Sequence, residues 1–252
     1  MNEIFLRNSL YWGDEKQEKL ANFHVAIFGL GGVGGYCAEM LTRAGIGELT
    51  IIDFDTVSKS NINRQIIALN STVGQNKTDL FFARLKDINP EIKLNIVSDF
   101  YTSSIDKSLF NGGFDFIADA IDTMRSKISL LEYAYKNDIP VISSMGAGNR
   151  VDPTKLYISD ISGIRDKKAP FVSNILYQLE KRDITTGITV VTSDEKPFVQ
   201  ERISEVENIT TNAGEEIEFT KIVPSSTPFV ASVAGIYMAS YIVRKLIELW
   251  TY

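Results

Sequence analysis

Residues 25–55, VAIFGLGGVGGYCAEMLTRAGIGELTIIDFD, restrict the fold more than any other stretch of the chain. Residues 25–29 are an uninterrupted apolar run, which predicts a strand buried on both faces. Val33, Cys37, Met40, Leu41 and Ala44 then recur at helical spacing, and residues 49–53 (LTIID) form a second apolar run. Strand, glycine-rich turn, helix and strand in this order make a βαβ unit, which requires a parallel sheet.

The alternation continues. A helix is expected over 78–89, with Phe81, Leu85 and Ile88 on one face and Pro90 as its stop. Strands are expected at 93–99 and 114–122, a helix through Ile128, Leu131 and Tyr135, and a strand at 140–146. The predicted class is therefore α/β: a doubly wound, mainly parallel, Rossmann-like sheet with a C-terminal extension. Such a sheet binds its ligand at the carboxyl ends of its strands. Asp53 and Asp55 fall at one such end and Asp122 at another. Beyond Gly146 the pattern loosens, with strands expected at 155–161 and 187–195 and helices at 170–182 and 228–249. The polar, acidic stretch 199–217 reads as a mobile surface loop. One domain of 252 residues is expected, with a nucleotide-binding core over about 23–162 and an extension over 163–252.

The glycines give the first clue to function. Gly29, Gly31 and Gly34 stand in the G-x-G-x-x-G order between a strand and a helix, with Gly32 in addition. This arrangement lets backbone N–H groups approach a phosphate at a helix N-terminus. Asp53 lies about 20 residues further on, where a carboxylate binds ribose hydroxyls. The pattern alone is shared by NAD and FAD enzymes. The stretch after it, TVSKSNINRQIIALNSTVGQNKTD (56–79), points elsewhere. Ser60, Asn61, Asn63, Arg64, Gln65 and Lys77 gather just past the ribose carboxylate. Hydride transfer needs no such donors, whereas cleavage of a triphosphate must stabilise charge that shifts to the leaving pyrophosphate. Arg64 supplies a planar fork and Lys77 a point charge. Asp122 reads either as a Mg²⁺ ligand or as a helix N-cap, and one residue could serve as both.

Composition narrows the field. A formal net charge of −6 argues against a globally basic nucleic-acid binder and leaves room for a local basic patch. Cys37 is the sole cysteine, so an intrachain disulfide and a four-cysteine zinc site are both excluded. Cys37 falls within the apolar helix pattern and reads as a small core hydrophobe. The N-terminus shows no signal-peptide pattern, and the cytoplasm is the expected compartment. No charged residue lies between Lys221 and Arg244, a run that reads as a buried or interface helix rather than a membrane anchor.

Taken together, GLGGVG, IIDFDTVSKSNINRQ, VGQNK and DAID resemble the adenylating superfamily of ubiquitin-activating E1 enzymes, which includes bacterial activators of sulfur-carrier proteins. The resemblance implies that Asp53 holds the ribose and that Asn61, Arg64 and Lys77 hold phosphates, with Ser60 and Gln65 beside them. It implies ATP and Mg²⁺ as cofactors, with Asp122 on the metal. It also implies a homodimer in which Arg7 reaches the partner's site. Zinc CxxC pairs and a catalytic cysteine, usual in sulfur-carrier activators, are absent. GAGNRVDPTKLYISDIS, SDEKP and PFVASVAG instead resemble the tRNA threonylcarbamoyladenosine dehydratase branch.

That branch implies a tRNA substrate already carrying threonylcarbamoyladenosine, which is adenylated and cyclised. The alternative is adenylation of the C-terminus of a ubiquitin-like carrier or peptide. A sulfur-transfer or redox protein is left open as a further partner. Arg165, Lys167, Lys168, Lys181 and Arg182 read either as a modest tRNA surface or as a solvated helix face.

Overall fold

The computed structural model describes residues 3–101, 107–110, 112–198, 203–210 and 216–249. Seven strands form one sheet: β1 (His24–Phe28), β2 (Glu48–Ile52), β3 (Lys93–Val97), β4 (Phe116–Asp119), β5 (Val141–Ser144), β6 (Leu156–Asp160) and β7 (Thr189–Ser193). Their order is β3-β2-β1-β4-β5-β7-β6. All neighbouring pairs are parallel except the edge pair β6–β7. β7 lies between β5 and β6, so core and extension share a single sheet.

Side chains alternate across the sheet with period 2. Val25 and Ile27 of β1 therefore enter one apolar core and Ala26 and Phe28 the other. The first core is closed by α3 (Gly34–Ala44), α4 (Lys77–Ile88) and α7 (Pro228–Leu246), through Cys37, Leu41, Phe81, Leu85, Met238 and Ile242. The second is closed by α5 (Met124–Lys136) and α6 (Pro170–Glu180), through Leu130, Leu131, Ile175 and Leu179. Each fully buried aliphatic or Phe side chain contributes about 1.5–3 kcal/mol. Helices on both faces are thus what lets so apolar a sheet stay in water.

Two parts of the chain depart from the expectation. α1 (Leu6–Trp12) and α2 (Asp14–Leu20) precede the sheet and dock near the C-terminal end of α3, where Asn8 Nδ2 donates to Arg43 O at 3.0 Å. The stretch read as a mobile loop is instead largely strand. β8 (Ile203–Thr210) pairs antiparallel with β9 (Glu216–Val223), from Ile203 opposite Val223 to Thr210 opposite Glu216. Charge had suggested a loop, but EIEFTKIV alternates polar and apolar residues through Phe219, a pattern that suits a two-stranded ribbon. Residues 199–202 and 211–215 of that stretch lie outside the described residues.

α7 is the one helix among the described residues long and apolar enough to cross a membrane, and it packs closely on α3. A Cβ at Gly235 would lie 2.2 Å from Val33 O and 3.0 Å from Cys37 N. The two helix backbones meet at a distance only glycine permits, so α7 clamps the first turn of the helix that follows the glycine loop.

Candidate active site

The carboxyl ends of β1, β2 and β4 meet where the strand order reverses, between β1 and β4. This is the topological switch point, where open α/β sheets hold their ligands. Gly29 leaves β1 with φ +89°, and a Cβ there would sit 2.9 Å from Ala120 O just past β4. A Cβ on Gly34 would lie 1.7 Å from Gly29 O. The loop therefore folds back on itself and against the end of β4, which leaves its N–H groups at the start of α3.

Asp53 follows β2 and is buried. Its Oδ2 accepts from Leu30 N at 2.6 Å and its Oδ1 from Asp55 N at 2.8 Å. Burial raises its pKa, and Lys77 offsets part of that effect. Lys77 opens α4 and is buried, with Nζ 2.6 Å from Asp55 Oδ2 and 3.9 Å from Asp53 Oδ1. Sequence reasoning placed Lys77 on phosphate; the structure shows it braced by two carboxylates. An ammonium has three donors, so this bracing still leaves it a donor for a phosphate.

The donor-rich stretch wraps the glycine loop. Arg64 Nη1 donates to Ser60 O and to Asn63 Oδ1, both at 2.9 Å, and the Arg64 side chain would be 3.2 Å from a Cβ on Gly32. Burial lowers the pKa of the Arg64 guanidinium, and the charge of Asp122 acts against this, so the two lie within electrostatic reach of each other. Asn61 Oδ1 caps Ser58 N at 3.1 Å, and Ser60 Oγ meets Ser58 Oγ at 2.8 Å. Gln65 is buried near Gly31, and its Oε1 has no hydrogen-bond partner among the described residues. A buried unpaired acceptor is costly, so this side chain is a fit for a ligand group that donates to it.

Asp122 is exposed in the turn between β4 and α5, and the N-cap of α5 is Thr123. Gly29, Gly31, Gly32, Gly34, Asp53, Asp55, Ser60, Asn61, Arg64, Gln65, Lys77 and Asp122 thus gather around one end of the sheet. Arg7 does not join them. It is exposed on α1, near the far end of α3, a helix about 16 Å long at 1.5 Å per residue.

Cys37 is fully buried, and that burial pushes its thiol far above the usual range. His24 sits at the amino end of β1, its ring nitrogen 2.8 Å from Thr50 Oγ1, at the opposite end of the strand from the glycine loop.

The basic segment is divided. Arg165 stacks on Tyr157 at 4.2 Å and pairs with Asp194, next to the exposed Lys167 and Lys168. α6 then carries the chain from Phe171, beside Gly146, back to the amino end of the sheet. There Lys181 lies over Tyr177 at 4.3 Å and Arg182 pairs with Glu132 at 2.9 Å. Only the first three cations share the site's end of the molecule.

Sequence reasoning missed a strap beside the site. Asn149, in the left-handed region at φ +62°, accepts from Ser225 N at 2.8 Å through its Oδ1. Ser226 O in turn accepts from Asn63 Nδ2 at 2.9 Å. This ties the loop after β5 and the lead into α7 to the residue that holds Arg64. The N-G/G-N turn chemistry of GAGNR was the available signal.

This fold and site define a nucleotide-binding protein of the doubly wound class, with cations and a carboxylate set for a polyphosphate. The chain belongs to the ThiF family, whose sequence model matches residues 5–249. It is 43% identical over 244 residues to a tRNA threonylcarbamoyladenosine dehydratase of Bacillus subtilis, covering 97% of this chain and 94% of that one. A dehydratase of the same name from Haemophilus influenzae is 44% identical over 144 residues, 57% of this chain and 55% of that one. Among solved structures, the Escherichia coli enzyme of that name in complex with ATP superposes with a TM-score of 0.82 at 28% identity, covering 98% of this chain and 94% of that one.

Proposed function

We propose that this chain is an ATP-dependent tRNA threonylcarbamoyladenosine dehydratase. The observation that carries the reading is the likeness to the Bacillus subtilis dehydratase along 97% of the chain, nucleotide core and C-terminal extension alike. A carboxylate oxygen of the threonyl group attacks the α-phosphate of ATP, and pyrophosphate leaves. A nitrogen or oxygen of the carbamoyl group then attacks the activated carbonyl carbon, and a carbamoyl N–H proton is lost. AMP departs with the former carboxylate oxygen, so the base closes into a ring one water poorer. Ring closure is intramolecular, and holding the reacting atoms together supplies much of the rate.

Each side chain has a part. The Asp53 carboxylate receives ribose hydroxyls, and Arg64 and Lys77 hold phosphate oxygens against the charge that builds on the leaving group. No nucleophile is drawn from the protein, in keeping with a Cys37 that is fully buried, where burial disfavours the thiolate. Among the described residues no group of three or more His, Cys, Asp or Glu side chains could hold a metal alone. One exposed carboxylate, Asp122, suits an ion that brings phosphate oxygens and waters as its other ligands, the habit of Mg²⁺. Bound there, Mg²⁺ neutralises charge on the phosphates.

Arg7 serves the site of a second copy. Ile4, Leu6, Leu10 and Tyr11 around it are exposed, an apolar surface suited to a partner chain. The RNA approaches over Arg165, Lys167 and Lys168. The setting for tRNA chemistry is the cytoplasm.

The test uses tRNA carrying threonylcarbamoyladenosine, with ATP and Mg²⁺, followed by mild digestion and mass spectrometry of the nucleosides. Loss of one water from the modified base, dependent on ATP and on Asp122, is expected. An unchanged base beside an active control enzyme overturns the reading in favour of a carrier-protein or peptide substrate.

A further inference from the structure

The turn that presents Asp122 is anchored by charges in the core. Asp119 ends β4, Lys127 lies in the first turn of α5 and Ser143 lies in β5, and all three are fully buried. Lys127 Nζ is 2.6 Å from Asp119 Oδ2 and donates to Ser143 Oγ at 3.1 Å, while Ser143 Oγ donates to the same Oδ2 at 2.7 Å. The other oxygen, Oδ1, accepts from Ile121 N at 3.1 Å. One side of this carboxylate thus joins β4, β5 and α5, and the other side bends the chain at the residue before Asp122. From the opposite direction, Ala120 abuts the glycine loop at Gly29.

A buried ion pair is a poor way to stabilise a core, since apolar residues of similar volume often do as well or better. What such a pair does provide is direction, because both oxygens and the ammonium accept only one arrangement. We propose that Lys127, with Asp119 and Ser143, is a positioning device that aims Asp122 at the phosphates beside Arg64. This rests on the reading of Asp122 as the carboxylate that acts at the triphosphate. Lys127 touches no substrate; it acts through the turn at 119–122.

A double-mutant cycle tests it. The paired change Asp119→Asn with Lys127→Met keeps the core neutral, and Ser143→Ala is a milder second variant should the pair fail to fold. Each is measured alone and in an Asp122→Asn background, for kcat and KM of the dehydration and for amide exchange in the ligand-free protein. Misplacing a reacting group by about 1 Å costs up to about 100-fold in rate. The paired change is therefore expected to lower kcat roughly 10- to 100-fold, with KM for ATP moving less than about threefold. Ser143→Ala should cost roughly 3- to 10-fold. In the Asp122→Asn background neither should cost more than about twofold further, because residues acting through one group are not additive. Exchange across 119–124 should quicken while the rest of β4 stays protected.

Equal losses in both backgrounds, full kcat in the folded paired variant, or unchanged exchange at 119–124 would overturn the proposal. Asp122→Asn with undiminished kcat would instead overturn the reading of Asp122 itself, a result visible before the cycle is closed.

Discussion

At the scale of single residues, the site is made of groups whose charge the fold has already placed. Arg64 is held by Ser60 and Asn63 before any ligand arrives, so little ordering remains to be done on binding. Arg64→Ala is expected to cost roughly 2–4 kcal/mol of transition-state stabilisation, the scale for losing one electrostatic donor. A fall in kcat/KM of less than about tenfold would remove Arg64 from the phosphate-handling set. The two acids of DAID, Asp119 and Asp122, look interchangeable in the sequence and are not. One is wholly buried and hydrogen-bonded on both oxygens; the other is exposed in the turn that follows.

At the scale of elements, α3 and α4 must keep a fixed relation, because one carries the glycine loop and the other begins with Lys77. Glu39 of α3 joins them, with Arg84 of α4 at 2.6 Å and Arg43 of its own helix at 2.8 Å. Burial opposes ionisation of Glu39, and the two guanidiniums outweigh it, so its pKa lies below the ordinary 4.5. In the window between the folded pKa and 4.5 the unfolded chain binds more protons, so this contribution rises with pH there. It is fully present above 4.5 and is lost as pH falls through the folded value. Glu39→Gln is expected to destabilise the protein by about 1.5–3 kcal/mol at pH 7, the scale for hydrogen bonds to a charged group. Urea titrations should show that deficit shrinking below pH 4.5; a deficit constant with pH would assign it to shape rather than charge.

At the scale of the whole molecule, the proposed function takes one group of the site, Arg7, from a second copy of the chain, and that can be tested. Arg7→Ala and Asp122→Ala proteins, each strongly impaired, should partly rescue each other when mixed under conditions of subunit exchange, since each mixed dimer assembles one intact site. Absence of rescue would place Arg7 outside the chemistry. The divided basic segment gives a second test. Lys167→Glu with Lys168→Glu should raise KM for tRNA and flatten its salt dependence by about one phosphate per lysine. Lys181→Glu, at the far end of α6, should leave both unchanged. Equal effects from the two sets would mean that the RNA lies along α6 rather than over the site's rim.

The order of amino acids was enough for the strands of the main sheet, the helices from α3 onward and the glycine loop. These depend on local periodicity and on the few residues that permit a sharp turn next to a phosphate. The placement of the residues from Asp53 to Lys77 beside that loop was legible too, because they follow it within one short stretch. Three things required the tertiary structure. The β8–β9 ribbon was masked by charge, since its strands pair with each other rather than follow the sheet's apolar code. The distance of Arg7 from its own site follows from the docking of α1 beside the far end of α3. The division of labour between Asp119 and Asp122 rests on Lys127 and Ser143, 8 and 24 residues away along the chain. A helix with Lys127, Leu131 and Ala134 along one face carries a charge in an apolar row, and that was the one available hint. Burial and pairing are properties of places where distant segments meet, and only the folded chain creates those places.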